Sequence, residues 1–374
     1  MNAASPMPLV CHFLALVALL LAPNIGHAQD LAAQPVATGL EHPWAVAFLP
    51  GDRFLVTERP GRMRIVAADG RLGPALAGVP AVMAAGQGGL LDVVLDSGFD
   101  RNRTLFFCFS EPGAGGNGTA LAHARLADDD SGLEQVRVIF RQQPKVASNL
   151  HFGCRIAEGR DGNLFLTLGE RFSQKDRAQA LDNHLGKVVR LTKDGAPASG
   201  NPFAGRPGAL PEIWSYGHRN PQGAAIAPDG TLWIHEHGPQ GGDEINLPQA
   251  GRNYGWPVTT YGENYGGGPI GEGITRRDGM EQPLHYWVPS IAPSGMAFLT
   301  SDRYGEAMKG NLFIGSLKFG FLDRIELAQG KVVREHRLLA QERERIRDVR
   351  QGPDGWLYVL TDSQRGRLLR VVPR

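Results

Sequence analysis

The sequence predicts an all-β fold, a six-bladed β-propeller with four-stranded antiparallel blades. Three observations carry the prediction. One short pattern, a polar or glycine-containing turn followed by alternating large apolar residues, recurs six times along the chain. Its recurrences are 45 to 80 residues apart, which suits a four-stranded unit with insertions of variable length. The amphipathic helices that a parallel α/β fold would need between its strands are missing, since "RAQALDNHLG" (177–186) supports one or two turns at most.

The six segments, in order, are "GDRFLVTE" (51–58), "NRTLFFCF" (102–109), "DGNLFLTL" (161–168), "DGTLWIHE" (229–236), "KGNLFIGS" (309–316) and "DGWLYVLT" (354–361). With Phe54, Leu105, Leu164, Leu232, Leu312 and Leu357 as markers, the spacings are 51, 59, 68, 80 and 45 residues. Each segment places β-branched or aromatic residues at the two-residue period of a strand. Four are followed by a second strand-like run: "RMRIVAA", "KVVRLT", "FLDRIEL" and "RLLRVV". The long intervals around 170–212 and 247–290 are rich in Gly and Pro. They read as loops over one mouth of the central channel, where propellers bind ligands, within a single domain spanning 29–374.

Residues 1–28 read as a signal peptide. "LVCHFLALVALLLAP" is apolar and short for a membrane span, and "GHA" precedes Gln29 with small residues at the cleavage position. The leader is irregular, because no Lys or Arg occurs before Arg53. Export predicts a soluble periplasmic product, with two cysteines, Cys108 and Cys154, left to pair or to stay as separate buried thiols. The formal net charge of +1 gives no electrostatic footprint for nucleic acid or a membrane surface. No second long apolar run occurs, so no membrane span is expected, and the chain is read as a monomer or a homodimer.

Several motifs carry chemistry. "GAGGNG" (113–118) has dinucleotide-loop spacing, but the segment after it is too short for a crossover helix, so a hairpin loop is expected. "LWIHEHGPQGGDEINL" (232–247) holds His235, Glu236 and His237, without the helical spacing or third ligand of a zinc site. Its Gly238-Pro239 turn can aim main-chain carbonyls at a hard cation such as calcium, and an ordinary polar turn is the competing reading. "LHFGCRI" (150–156) and "LGER" (168–171) bring His151 and Glu170 to the same end of a strand, the arrangement of a general base oriented by an acid. "WSYGHRNPQG" (214–223) is dense in donors. Lys318, Arg345 and Arg347 add cations on two further blades, together suggesting a ring that faces an anion.

Taken in series, "HFGCR", "YGHRNPQG", "EHGPQGGDEIN", "NYGWP", "RIRDV" and "GPDGWLYVLTD" resemble the quinoprotein aldose sugar dehydrogenases, relatives of soluble glucose dehydrogenase. The resemblance runs through the whole mature chain. It implies a propeller that binds pyrroloquinoline quinone (PQQ) and Ca2+ over its channel. It also implies oxidation of the anomeric hydroxyl of aldose sugars to lactones, with electrons passed to an unidentified acceptor. By motif, His151 would be the general base, with Arg219 acting beside it. Arg219, Asn220, Gln87 (in "GQGGLLD") and Tyr265 (in "ENYGG") would contact the cofactor. Ser316, Leu317, Lys318, Arg345 and Arg347 would hold its carboxylates. Gly238 and Pro239 would offer carbonyls to calcium, and Glu244 and Tyr254 match positions assigned to calcium, as a second ion.

Two departures from the family pattern stand out. Glu170 occupies a position where Asp is usual, and Cys154 stands where a small hydroxyl or glycine is expected. Two other readings use the same fold. A calcium-dependent lactonase or esterase would hold its ion centrally among carboxylate and Asn side chains, without a cationic ring. A non-catalytic binding propeller would have no reason to keep His151, Arg219, Asn220 and Lys318 together.

Overall fold

The computed structural model describes Met1 and residues 31–374, so the signal-peptide reading lies outside the described residues. Among the described residues, six four-stranded antiparallel sheets account for all 24 strands. Blade I comprises Pro43–Leu49, Arg53–Glu58, Arg62–Val66 and Leu72–Ala75, and blade II comprises Leu90–Leu95, Thr104–Gly113, Gly116–Leu126 and Leu133–Arg141. Blade III is Gly153–Glu158, Leu164–Leu168, Lys187–Leu191 and Ile213–Tyr216; blade IV is Pro221–Ile226, Leu232–Glu236, Asp243–Asn246 and His285–Trp287. Blade V is Pro293–Phe298, Leu312–Ser316, Leu322–Ala328 and Lys331–Leu338. Blade VI takes Ile346–Gln351, Leu357–Thr361 and Gly366–Pro373 from the C-terminus and its outermost strand, Leu31–Leu40, from the other end of the described chain. That strand pairs antiparallel with Gly366–Pro373 from Leu31↔Pro373 to Leu40↔Gly366 and so closes the ring.

Every one of the six sequence markers falls in the second strand of its blade. The first strands pack side by side around the axis. Apolar side chains fill every seam. Trp44, Leu91, Phe107 and Leu166 belong to a cluster spanning blades I to III, and Val188 meets Ile234 between III and IV. Trp233 meets Phe298 between IV and V, Phe313 meets Val359 between V and VI, and Phe54 meets Tyr358 between VI and I. Burial of each such side chain is worth about 1.5–3 kcal/mol, so the seams rather than the isolated sheets carry the fold. "GAGGNG" is the expected hairpin, with Gly113 paired to Gly116. "RAQALDNHLG" lies across a single 3-10 turn, Lys175–Gln179, and the loop after it. Cys108 and Cys154, left open by the sequence, form a disulfide that ties blade II to blade III.

Candidate active site

In each blade the second strand ends where the first strand begins, so all six repeats deliver residues to one mouth of the channel. The first-strand starts bring Trp44, Gln87, His151, Arg219 and Asn220, Ala292, and Arg345 with Arg347. The second-strand ends bring Arg59, Ser110, Glu170, His237, Leu317 with Lys318, and Asp362. A cavity of about 500 Å³ occupies this mouth. Gln87, Asn220, Gln222, Lys318, Arg345 and Arg347 are among the residues that line it.

At one side of the cavity the His151 Nδ1 and Glu170 Oε1 atoms lie 2.8 Å apart, both side chains being buried. Burial, reinforced by the charges of Arg219 and Arg171, holds the imidazole well below its usual pKa, so it is neutral at pH 7. Burial pushes Glu170 up to about 7 against the pull of Arg219 and Arg171. With Glu170 ionised, Nδ1–H donates to the carboxylate and the Nε2 lone pair is left as a proton acceptor. The His151 N–H donates to Gln87 Oε1 at 2.8 Å, which places Gln87 in the support of His151 as well as in the cavity wall. His151 itself sits at φ 51°, a left-handed conformation uncommon for a side-chain-bearing residue.

The cationic side is organised by a residue that the sequence motifs did not single out. Asp362 accepts from Arg347 Nη2 at 2.8 Å and from Arg345 Nη2 at 3.3 Å, and pairs with His42. Burial would raise its pKa, but Arg347 and its hydrogen bond, with His42 and Arg345, carry the carboxyl well below its usual range. One carboxylate thus orders two guanidinium groups at the cavity wall. Asn220 Oδ1 accepts from the Gly153 N–H and from Gln222 Nε2, leaving its amide hydrogens for a ligand. Arg59 Nε and Arg219 Nε are buried without partners among the described residues. Trp44 forms part of the floor, backed by Arg155, whose guanidinium lies 4.1 Å from the ring centroid. Arg155 bridges Asp92 and Asp348 across the channel and donates to the Gln222 and Arg347 carbonyls. The Ser316 hydroxyl donates to the Ile291 carbonyl and accepts from the Phe319 N–H, so it shapes the turn that presents Leu317 and Lys318.

The turn at 237–243 is held from inside. Asp243 accepts from the Gly238 N–H, Ser290 Oγ and the Ile291 and Ala292 N–H groups, which pins the turn to the start of blade V. A side chain at Gly238 would strike the Gly241 and Gly242 carbonyls at 2.1 and 2.4 Å, so only glycine fits. The Gly238 carbonyl accepts from Arg219 Nη1 at 2.8 Å, and the His237 carbonyl from the same nitrogen at 3.1 Å. Pro239 lies on the same turn but lines neither the cavity nor the neighbouring void. Behind the turn Glu236, Glu244, Gly238 and Tyr254 surround a void of about 10 Å³. Burial, then the Glu236 carboxylate, drives the Glu244 pKa well up, because two acids share a space of low polarity. The Tyr254 hydroxyl is spent on the Leu247 carbonyl and the Gln249 N–H. Tyr265 stands at the rim, 63% exposed, its hydroxyl accepting from Arg219 Nη2 at 3.3 Å. Of the two histidines in this stretch, His237 Nε2 donates to the Pro293 carbonyl at 2.7 Å and His235 is buried in the blade.

Fold and site together define a propeller enzyme with a buried histidine–carboxylate pair set beside a cation-lined cavity. The chain belongs to the family described as Glucose / Sorbosone dehydrogenase, whose model matches residues 40–370. It is 47% identical to the aldose sugar dehydrogenase YliI of Escherichia coli K12, over 98% of each chain. The solved apo-form of the soluble aldose sugar dehydrogenase from Escherichia coli superposes with a TM-score of 0.88, over 92% of this chain and 100% of that one. The PQQ-bound form of the aldose sugar dehydrogenase from Streptomyces coelicolor superposes with a TM-score of 0.74 at 30% identity, over 92% of this chain and 99% of that one.

Proposed function

We propose that this protein is a periplasmic PQQ- and calcium-dependent dehydrogenase that oxidises the anomeric hydroxyl of aldose sugars to lactones. The observation that supports it most is the meeting, at one mouth, of a neutral buried imidazole with a cation-lined cavity of about 500 Å³. PQQ carries three carboxylates, and the donors of the cavity wall match them: Lys318, Arg345 and Arg347 as cations, with Asn220, Gln87 and the unpartnered Nε of Arg59 as further donors; Arg219, which the family motif adds, borders the neighbouring void. For calcium, the Gly238 and Pro239 carbonyls are the donors that the family motif implies; Gly238 borders the void and its carbonyl also accepts from Arg219, whereas Pro239 borders neither space. At the void behind them the fitting donors are the Glu244 carboxylate and the Tyr254 carbonyl, the Tyr254 hydroxyl being committed elsewhere.

When bound, PQQ supplies the two-electron acceptor and calcium a Lewis acid beside it. The chain's own residues do the rest. His151 takes the sugar hydroxyl proton at Nε2, and Glu170 stabilises the imidazolium that forms. Arg219 presents a fixed positive charge next to the reacting centre, held there by the His237 and Gly238 carbonyls and by Glu236, which accepts from its main-chain N–H. Burial of His151 and Glu170 keeps bulk water from competing for the proton.

The test is reconstitution. Purified protein stripped of metal should reduce a dye with glucose only after PQQ and calcium are added together. Activity before the additions, or none after them, would refute the proposal.

A further inference from the structure

The loop after the second strand of blade III holds two consecutive side-chain-bearing residues in the left-handed region, Arg171 at φ 66° and Phe172 at φ 67°. That conformation is unfavourable for both, so the surroundings must enforce it. Arg171 shows how. Its buried guanidinium donates to the Leu150, Ser148 and Asn117 carbonyls and to Asn117 Oδ1, and it lies 3.8 Å from the Phe152 ring centroid. Its main-chain N–H donates to the His151 carbonyl at 3.2 Å. The loop is therefore riveted to the segment that carries the base.

With Arg171 turned inward, Phe172 is turned out. Its ring is 46% exposed and belongs to no core cluster among the described residues. It stands edge-to-face with the His151 imidazole, centroids 5.3 Å apart, and 6.5 Å from the ring of Tyr265. A molecule whose hydroxyl reaches His151 comes within contact distance of this aromatic edge. A pyranose has the complementary chemistry, because its ring carbons offer a face of C–H groups that packs on an aromatic ring while the hydroxyls point sideways.

We infer that Phe172 is a specificity-determining residue: with Tyr265 it forms an aromatic wall on which the C–H face of a pyranose stacks while the anomeric hydroxyl meets His151. This rests on the sugar-dehydrogenase reading above. It adds the element by which this chain selects its substrate ring.

Phe172→Gly is the variant of choice, since glycine adopts φ 67° without strain and the fold is retained. On the reconstituted protein, KM for glucose should rise about three- to tenfold with kcat within twofold and the pH profile unmoved, and Phe172→Trp should restore KM. An unchanged KM, or a change confined to kcat or to the pH profile, overturns the inference. Saturation-transfer NMR on the reconstituted protein, held without an electron acceptor, reads the contact without turnover. Transfer to glucose ring C–H protons should be strong in the native protein and reduced severalfold in Phe172→Gly; transfer that is absent in the native protein or undiminished in the variant overturns the inference. Transfer that depends on Phe172 in a protein that does not oxidise glucose would instead refute the dehydrogenase reading and leave the stacking site standing.

Discussion

Replacing Glu170 by Gln separates chemistry from architecture at this site. The carboxylate lies 2.8 Å from His151 Nδ1, and at that distance its attraction to the imidazolium formed during proton transfer is about 6 kcal/mol in an effective dielectric of about 20. An amide keeps a hydrogen bond but recovers only part of that attraction. Glu170→Gln should therefore lower kcat roughly 10²- to 10⁴-fold at pH 8, with KM and PQQ affinity retained. The same residue sets the pH dependence. With Glu170 at about 7, a protonated carboxyl donates to Nδ1, which leaves the hydrogen on Nε2 and removes the base. The native rate should fall about fiftyfold between pH 7 and pH 5, whereas the variant's profile should be flat across that interval.

Stability runs the opposite way. The folded pKa of Glu170 lies above its ordinary value of 4.5, so the folded state holds the proton more tightly. Its contribution to stability is then lost as pH rises from about 4.5 to about 7, at a cost of roughly 3 kcal/mol above that window. Glu170→Gln removes this cost, and urea denaturation at pH 8 should show a more stable but far slower protein. A variant within tenfold of native kcat at pH 8, or one that keeps an inflection near pH 7, would refute the assignment of Glu170 as the partner of the base.

The geometry sets three further outcomes. Equilibrium PQQ binding, monitored by fluorescence, should weaken roughly tenfold or more in Arg347→Ala and less in Lys318→Ala, because Arg347 is ordered by Asp362 and mostly buried whereas Lys318 is exposed. Asp243→Ala should cost about 2–4 kcal/mol by chemical denaturation, since four donors lose their buried acceptor at once. The double variant Cys108→Ala with Cys154→Ala should lose about 2–4 kcal/mol, in line with a cross-link spanning 46 residues, and reductant should reproduce that loss only in protein that is already unfolding, both cysteines being fully buried.

The repeat made the architecture legible because each second strand is buried on both faces between neighbouring blades and must be written in large apolar residues. "LAAQPVATGL" carried no such signal for the opposite reason: as the outermost strand of blade VI it is mixed in burial, and its partner lies at the far end of the chain. Much the same applies to the site. His151 and Glu170 were readable as a pair because one hairpin separates them. Asp243 and Asp362 lie inside quoted motifs but were given no role there, and Trp44 and Arg59 belong to no motif that stood out, although Asp362 and Arg59 each directly follow a recurring segment, where the repeat delivers residues to the mouth. Those positions, compared across all six repeats, are the signal that marks both.

By itself the sequence determined the number of blades, the end of each blade that carries chemistry, and the residue types gathered there. These come from local periodicity and turn chemistry, which act over a few residues. Tertiary structure alone decided what those residues do to one another. The imidazole is neutral because burial and two arginines make it so. One carboxylate orders two guanidinium groups that face the cavity, and the Gly238 carbonyl answers to Arg219. Closure of the ring brings together groups hundreds of positions apart in a medium that solvates charge poorly, and the energies of such contacts depend on distance and burial, neither of which is written in the order of residues.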